Sequence, residues 1–591
     1  MYGLCEIVVD LTDADAAKHP NPYLTVQLSG EFRSPRHKTY RMPGFWDGGK
    51  RFIIRFSPDE AGQWTYRLNA NFGGIQDKVD TFTATQSDHP GFIRPANVHH
   101  WRYTGSMLAH LWMGDTQYRF GFYDRPLFDK MLEARAAQKF NHIRGYTIGA
   151  GADDLKKTYP TPDTPNAEFF RELDSRIRAI NARGIIVDLI LGGDKNELAT
   201  FFPAWAQRER YLTYMVARYA AMNVTWQLSQ EFEEYRNGKT FMREMGLLLK
   251  RIDPCNHPRT VHTTSTSSPL LADGWMDHII YQSSDDHLGA IEHQLYPVPF
   301  VNTEFAYENS GAGATHPHHV EPNEFRRRLW NSAMNGQYPT YANTGIYGSA
   351  TLPNDAKWLD APGAKAMTAW FDFFSKTRHW ELEPYFDVDG GRALALPGVE
   401  YIVYIEKPSG PIEVTTEKHD YDVYWINPAT GEAIKEKKSY KGEAFTGTPP
   451  DNSHDWVLHL SRDGRKEGML RSYKFESRPN LMQEVELSST KIPFDLAAPA
   501  QGDLPVGKPV PFEIKLKRET RATRRMMYIL TAEVSRDGQA ARVVGSGAKG
   551  TFTVPASLAN TFPAVMTLRV TGMNAIGKVY STDYVFTLSK E

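Results

Sequence analysis

The sequence predicts a multidomain α/β plus all-β protein: a central (β/α)8 barrel flanked by an N-terminal immunoglobulin-like β-sandwich and two C-terminal β domains. Three observations predict it. Between about residues 97 and 376, short apolar runs alternate with longer stretches of helical spacing, the pattern of βα units. That region holds eight strand candidates, the count of a closed parallel barrel. On both sides of it the hydrophobic period falls to two, as half-buried strands require. The predicted boundaries are 1–92 for the first sandwich, 93–380 for the barrel, 381–470 for a small β domain packed on it, and 471–591 for the last sandwich.

The N-terminal prediction rests on alternating runs such as Arg51–Phe56 and Trp64–Leu68, separated by turn-rich pieces such as Asp47-Gly48-Gly49. In the barrel, strands are expected at Met107–Asp115, Asn141–Arg144, Gly184–Ile190, Asn223–Leu228, Arg259–His262, Met276–Tyr281, Val298–Glu304 and Gln337–Asn343. Helices are expected over Phe128–Lys139, Ala167–Ala182, Trp205–Ala221, Phe241–Arg251 and Glu324–Met334. A doubly wound sheet competes, but Gly149-Ala150-Gly151 does not fit the glycine-rich phosphate turn that fold carries after its first strand. Past Trp380, strands are expected at Arg392–Leu396, Tyr401–Glu406, Tyr421–Asn427 and Asp455–Leu460. Runs such as Met527–Thr531 and Ala564–Leu568 then belong to the final sandwich.

Composition narrows the function classes. With 68 basic against 70 acidic residues and a formal net charge of −2, broad phosphate neutralisation is disfavoured, so no nucleic-acid partner is expected. Cys5 and Cys255 stand far apart, which excludes a disulfide scaffold and any CxxC metal site. No run approaches transmembrane length. The expected location is periplasmic or secreted if a leader has been removed, and cytoplasmic otherwise.

The chemistry is expected where strands end. Asn223–Leu228 runs into Gln230 and Glu231, and Val298–Phe305 closes on Glu304. In an α/β barrel, residues just past the C-terminal ends of strands line one mouth. Two carboxylates there are what glycosidic-bond hydrolysis needs. Taken singly, each is more simply read as a solvated or capping glutamate; in matching contexts the pair is read as catalytic. Glu231 is assigned as acid/base, its pKa held up by the nearby Trp226 and Phe232, and Glu304 as nucleophile. Arg144 is expected to keep Glu304 ionised and Tyr281 to donate to it, each with a rim or core role as the alternative. Gln230 is expected to hold a ring hydroxyl. Asp115, Asp188 and His262 are candidate sugar ligands, with helix capping or structural roles open for them. Trp112 is the candidate stacking platform. His316, His318 and His319 fall in a Gly/Pro/His stretch read as a substrate-covering loop; no metal and no cofactor is expected.

These residues carry a resemblance. Asn21-Pro22-Tyr23, Gly44–Gly49, Arg55–Pro58 and Gly62–Tyr66 resemble the DUF5060-type β domain that precedes barrels in bacterial carbohydrate-active enzymes. Leu111–Thr116 resembles the first barrel strand of apiosidase-like and cellulase-like members of the retaining glycosidase clan A, and Trp425–Glu432 with Asp455–Leu458 resembles the β domain appended to such barrels. The clan ends strand four on an Asn-Glu pair and strand seven on a Glu; Glu231 and Glu304 match, whereas Gln230 stands in place of the asparagine. The resemblance implies a retaining hydrolase of a plant or microbial oligo- or polysaccharide, with exo action expected from crowding around the mouth. The alternative is a noncatalytic carbohydrate-binding or surface protein on the same scaffold.

Overall fold

The computed structural model describes residues 1–309, 319–347, 356–462, 482–487, 489–500, 502–534, 539–559 and 561–590. His316 and His318 lie outside the described residues.

Six antiparallel strands between Cys5 and Ala84 form the N-terminal sandwich. The strand Thr39–Trp46 belongs to both layers: Thr39–Pro43 pair with Leu28–Arg33, and Gly44–Trp46 pair with Arg51–Phe56. Between the layers, Phe32 stacks on Phe56 at 4.2 Å and Trp64 is fully buried. A buried charge network fastens this domain to the barrel. Arg55 Nη2 donates to Asp174 at 2.5 Å, and Arg218 Nη2 donates to Asp174 at 2.6 Å and to Asp47 at 3.0 Å.

The barrel strands are β1 Gly114–Thr116, β2 His142–Tyr146, β3 Ile186–Ile190, β4 Val224–Gln227, β5 Arg259–Thr260, β6 Ile279–Tyr281, β7 Phe300–Asn302 and β8 Gln337–Tyr341. All eight expected strands are present. They pair in parallel in the order 5-4-3-2-1-8-7-6. The seam between β5 and β6 is joined by single bonds, Asp277 N–H to Arg259 O at 2.9 Å and Thr260 Oγ1 to His278 O at 3.0 Å.

Seven α-helices cover the outside: Arg125–Ala137, Ala167–Asn181, Trp205–Tyr219, Gly238–Ile252, Asp286–Leu295, Pro322–Met334 and Pro362–Phe374. Three of them start on side-chain caps, with Asp124 accepting from Leu127 N–H, Asn166 from Glu168 and Phe169, and Asp285 from Leu288. After β5 a short 3₁₀ turn, Ser268–Asp273, takes the place of a helix.

The three-stranded sheet Ile93–Ala96, His100–Tyr103 and Ala109–His110 plugs the end of the barrel where the strands begin. There Trp101 packs on Trp112 at 5.2 Å, among Phe140, Ile186 and Val301. The opposite, C-terminal mouth is left open.

The β domain between Glu383 and Ser461 docks on the helix Pro322–Met334, where Trp330 stacks on Tyr404 and Arg326 forks onto Asp455 at 2.5 and 3.1 Å. The last domain is a two-layer sandwich. Its Ile529, Met573 and Val579 bury against Ile279 and Leu288 of the barrel. Among the described residues no helix is long and apolar enough to cross a membrane.

Candidate active site

The open mouth holds a cavity of about 500 Å³ lined by Glu231, Glu304, Gln230, Tyr118, Tyr146 and Tyr307, among others. The loops after β4 and β7 deliver the two glutamates, so strand ends from opposite sides of the ring face one space.

Glu304 is buried, 3% exposed. Its Oε1 accepts from Tyr118 OH at 2.6 Å and from Arg144 Nη1 at 3.2 Å. His262 Nε2 lies 3.0 Å from the same oxygen, but its ring N–H is off line, so the contact is electrostatic and not a well-formed hydrogen bond. Burial alone would raise the pKa of Glu304. His262, Arg144 and Tyr118 more than offset it and hold the carboxyl far below its ordinary range. His262 is itself pushed down by burial, which leaves the permanent charge of Arg144 as the dominant cation at neutral pH.

Glu231 has the opposite environment. Burial first, then the charge of Glu304, raises its pKa to about 7, with Glu234 and Asp194 adding and a hydrogen bond from Gln282 subtracting. Its backbone stands in the left-handed region at φ 33°, a conformation costly for a side chain with a Cβ and held only where the surroundings fix it. They do so here. Gln230 N–H donates to Gly192 O at 3.0 Å, Phe232 N–H donates to His262 O at 3.1 Å, and Glu233 accepts from Thr263 Oγ1 and Thr264 N–H at 2.5 and 3.0 Å. Glu233, itself buried, is therefore an anchor of the loop.

Arg144 organises the floor. Nη1 reaches Glu304, Nη2 donates to Gln230 Oε1 at 2.5 Å, and Nε donates to Gln227 Oε1 at 2.8 Å. The Gln230 amide is committed to this lattice: Oε1 also accepts from Gln227 at 2.6 Å, and Nε2 donates to Tyr118 OH at 3.2 Å.

Of the expected site residues, the fold brings Glu231, Glu304, Arg144, Gln230 and His262 together. Four others lie elsewhere. Asp115 faces outwards and pairs with buried Arg135 at 2.6 Å. Asp188 accepts from His142 Nδ1 and Thr225 Oγ1 at 2.8 and 2.7 Å within the barrel wall. Trp112 precedes β1, at the closed end, and stacks on His142 at 3.5 Å. Tyr281 donates to Glu292 at 2.6 Å on the helix layer and not to Glu304. Trp226 also faces outwards, donating to Asp253 at 2.9 Å, so it does not raise the pKa of Glu231. No tryptophan lines the cavity among the described residues. His319 lines the cavity.

Sequence reasoning missed Tyr118, Tyr307 and Tyr146. Tyr118 sits two residues beyond β1 and Tyr307 three beyond Glu304. The signal available was an aromatic residue within one turn of a strand end, which the search for carboxylates passed over.

Residues 103–381 match the family described as apiosidase-like, catalytic domain, and residues 1–71 match DUF5060, a domain of unknown function. No curated protein matches the chain by sequence. A crystal structure from Bacteroides vulgatus ATCC 8482, provisionally titled a glycoside hydrolase, superposes with TM-score 0.67 at 18% identity, covering 78% of this chain and 99% of that one. A family 5 glycoside hydrolase from the same organism gives TM-score 0.55 at 16% identity, over 67% and 98%. At such identities these likenesses speak for the fold. The family matches go further, and they fall on the sandwich and on the barrel whose mouth carries the two glutamates. Residues 103–381 belong to the apiosidase-like catalytic domains, behind a DUF5060 domain, and the chain is a glycoside hydrolase.

Proposed function

We propose that the protein is a retaining glycoside hydrolase working by double displacement. The observation that carries this reading is the opposed titration of two carboxyls on one cavity: Glu304 is held ionised, whereas Glu231 titrates at about 7. A nucleophile must be charged and a general acid must carry its proton near neutral pH. Glu304 attacks the anomeric carbon while Glu231 protonates the departing oxygen. Glu231, now a base, takes a proton from the water that releases the glycosyl-enzyme. Arg144 and Tyr118 keep Glu304 ionised and fix its free oxygen towards the cavity. A cavity of about 500 Å³ lies within the ~300–1,000 Å³ of small-ligand pockets. That size supports exo action on a terminal sugar of a plant or microbial oligosaccharide over an open polymer groove.

The test is hydrolysis of an aryl glycoside panel by wild type, Glu304→Ala and Glu231→Ala, with added azide. Rescue of Glu304→Ala as a glycosyl azide of inverted configuration supports double displacement; activity that survives both substitutions overturns it. Binding without turnover across the panel returns the protein to the noncatalytic alternative.

A further inference from the structure

At the closed end of the barrel, away from the mouth, three histidines converge on one carboxylate. His99 Nδ1 lies 3.0 Å from Glu383 Oε2, His293 Nε2 lies 3.3 Å from the same oxygen, and His100 Nε2 lies 3.3 Å from Oε1. The residues come from three units: the sheet that plugs the barrel, the end of the helix Asp286–Leu295, and the first strand of the following β domain.

One proton in this cluster can be placed. His99 Nε2 is 3.1 Å from Tyr296 O, and a carbonyl can only accept, so Nε2 carries the hydrogen. With Nε2 so engaged, Nδ1 is the nitrogen that His99 presents to Glu383 Oε2, at 3.0 Å. His100 Nε2 makes no hydrogen bond despite burial, and neither does His293 Nδ1. Such orphaned buried nitrogens are costly.

The separations admit a tetrahedral cation. Tetrahedral zinc, with ligand bonds near ~2.0–2.1 Å, sets neighbouring donor atoms about 3.3 Å apart. One donor atom each from His99, His293 and Glu383 falls within 4.8 Å of the others. His99, moreover, already has the outer carbonyl that metal-ligating histidines use to fix their tautomer.

The surroundings hold the rings in place. Asn97 and Val98, just before His99, both stand at positive φ, 47° and 68°. For a β-branched valine that is a strained conformation, and the surrounding structure must impose it. Asn97 fixes the turn by donating to Trp380 O at 2.9 Å. Gly336, at φ 73°, makes room for the imidazole of His293: a Cβ there would stand 2.6 Å from Nε2.

We propose that His99 Nδ1, His293 Nε2 and Glu383 Oε2 form a binding site for a divalent transition-metal ion of the zinc type, with His100 Nε2 beside the second carboxylate oxygen. The Glu383 side chain is 42% exposed, which gives water a path to the fourth position. This ion staples the plug, the barrel and the β domain together and takes no part in the chemistry at the mouth.

The test uses the full-length chain without a histidine tag, dialysed against zinc and then against buffer, with metal measured by mass spectrometry. The expected result is about one zinc per chain in wild type, loss in Glu383→Gln and in His293→Ala, and retention in Glu231→Gln. Cobalt(II) loading should give the visible absorption of a tetrahedral ion in wild type but not in Glu383→Gln. Chelation should lower the Tm of wild type and leave that of Glu383→Gln unmoved. Glu383→Gln keeps the side-chain volume, so its folded state can be verified by circular dichroism before loading. Wild type that retains no zinc and shows no shift in Tm on titration overturns the proposal. So does zinc that survives Glu383→Gln but is lost in Glu231→Gln, which would place the ion at the acidic side chains of the mouth.

Discussion

Tyr118 donates its hydroxyl to Glu304 Oε1 at 2.6 Å and accepts from Gln230 Nε2 at 3.2 Å, so one phenol links the proposed nucleophile to the residue preceding the acid/base. Hydrogen bonds to a charged partner contribute about 1.5–3 kcal/mol. Tyr118→Phe should therefore lower kcat about 10- to 100-fold with a smaller change in KM. Because the bond stabilises the ionised form of Glu304, the acid limb of the pH–rate profile should move up in the variant. An unchanged acid limb would show that the phenol does not act on Glu304.

The pH profile of the wild type follows from the opposed carboxyls. On the proposed mechanism, turnover needs Glu304 charged and Glu231 protonated. Glu304 is held far below its ordinary range, so no loss is expected across mildly acidic pH. Glu231 titrates at about 7, so kcat/KM should fall above that pH. The stability consequence has a definite sign. A carboxyl whose pKa is raised on folding contributes stability below its unfolded value, and that contribution is lost as pH rises through the folded value. Glu231→Gln should thus match wild type near pH 4 and exceed it at pH 8, by about 1–3 kcal/mol after allowing for partial solvent screening. Equal urea midpoints at pH 8 would contradict the raised pKa.

Much of this site was legible in the sequence, and the misses share a geometric cause. A strand announces itself by its apolar run, and the polar residues just past its end lie towards the mouth whatever the register; Glu231 and Glu304 were found that way. Within a strand, side chains alternate between the barrel interior and the helix layer, and one step of register reverses the assignment. Asp115 and Tyr281 fell on the outer face for that reason, bonding Arg135 and Glu292. Trp112 lies before its strand, at the closed end. Tyr118 offered only its place near a strand end; its aim at Glu304 is set by tertiary contacts of its loop, among them Tyr146 N–H to Tyr118 O at 2.9 Å.

The join between the first two domains should be sensitive to one carboxylate. Asp174 accepts from Arg55 and Arg218, both at most 2% exposed. Asp174→Ala leaves two guanidinium groups buried with less compensation and should destabilise the protein by about 3–5 kcal/mol. Asp129→Ala, which removes an exposed partner of Arg125, should cost under about 1 kcal/mol. Denaturant titration of the two variants side by side checks the contrast, and comparable losses would mean the buried network contributes no more than a surface pair.

The last domain reaches the loop that carries Glu231. Arg542 Nη2 donates to Glu233 O at 2.7 Å, two residues beyond Glu231. That carbonyl belongs to the turn that holds Glu231 at positive φ, and the other pins on the turn all come from the barrel. Losing the outer pin should leave the fold intact while widening the positions Glu231 samples. Misplacement of a catalytic group by an ångström costs about 100-fold in rate, so the partial loosening in Arg542→Ala should lower kcat by roughly 3- to 30-fold. Its Tm should stay close to that of wild type, since Arg542 is only half-buried and makes a single bond to the barrel. Arg542→Lys, which can still reach the carbonyl with one donor, should recover part of the rate. A kcat equal to wild type in Arg542→Ala would mean that the barrel alone fixes Glu231 and that the last domain is not coupled to catalysis through this contact.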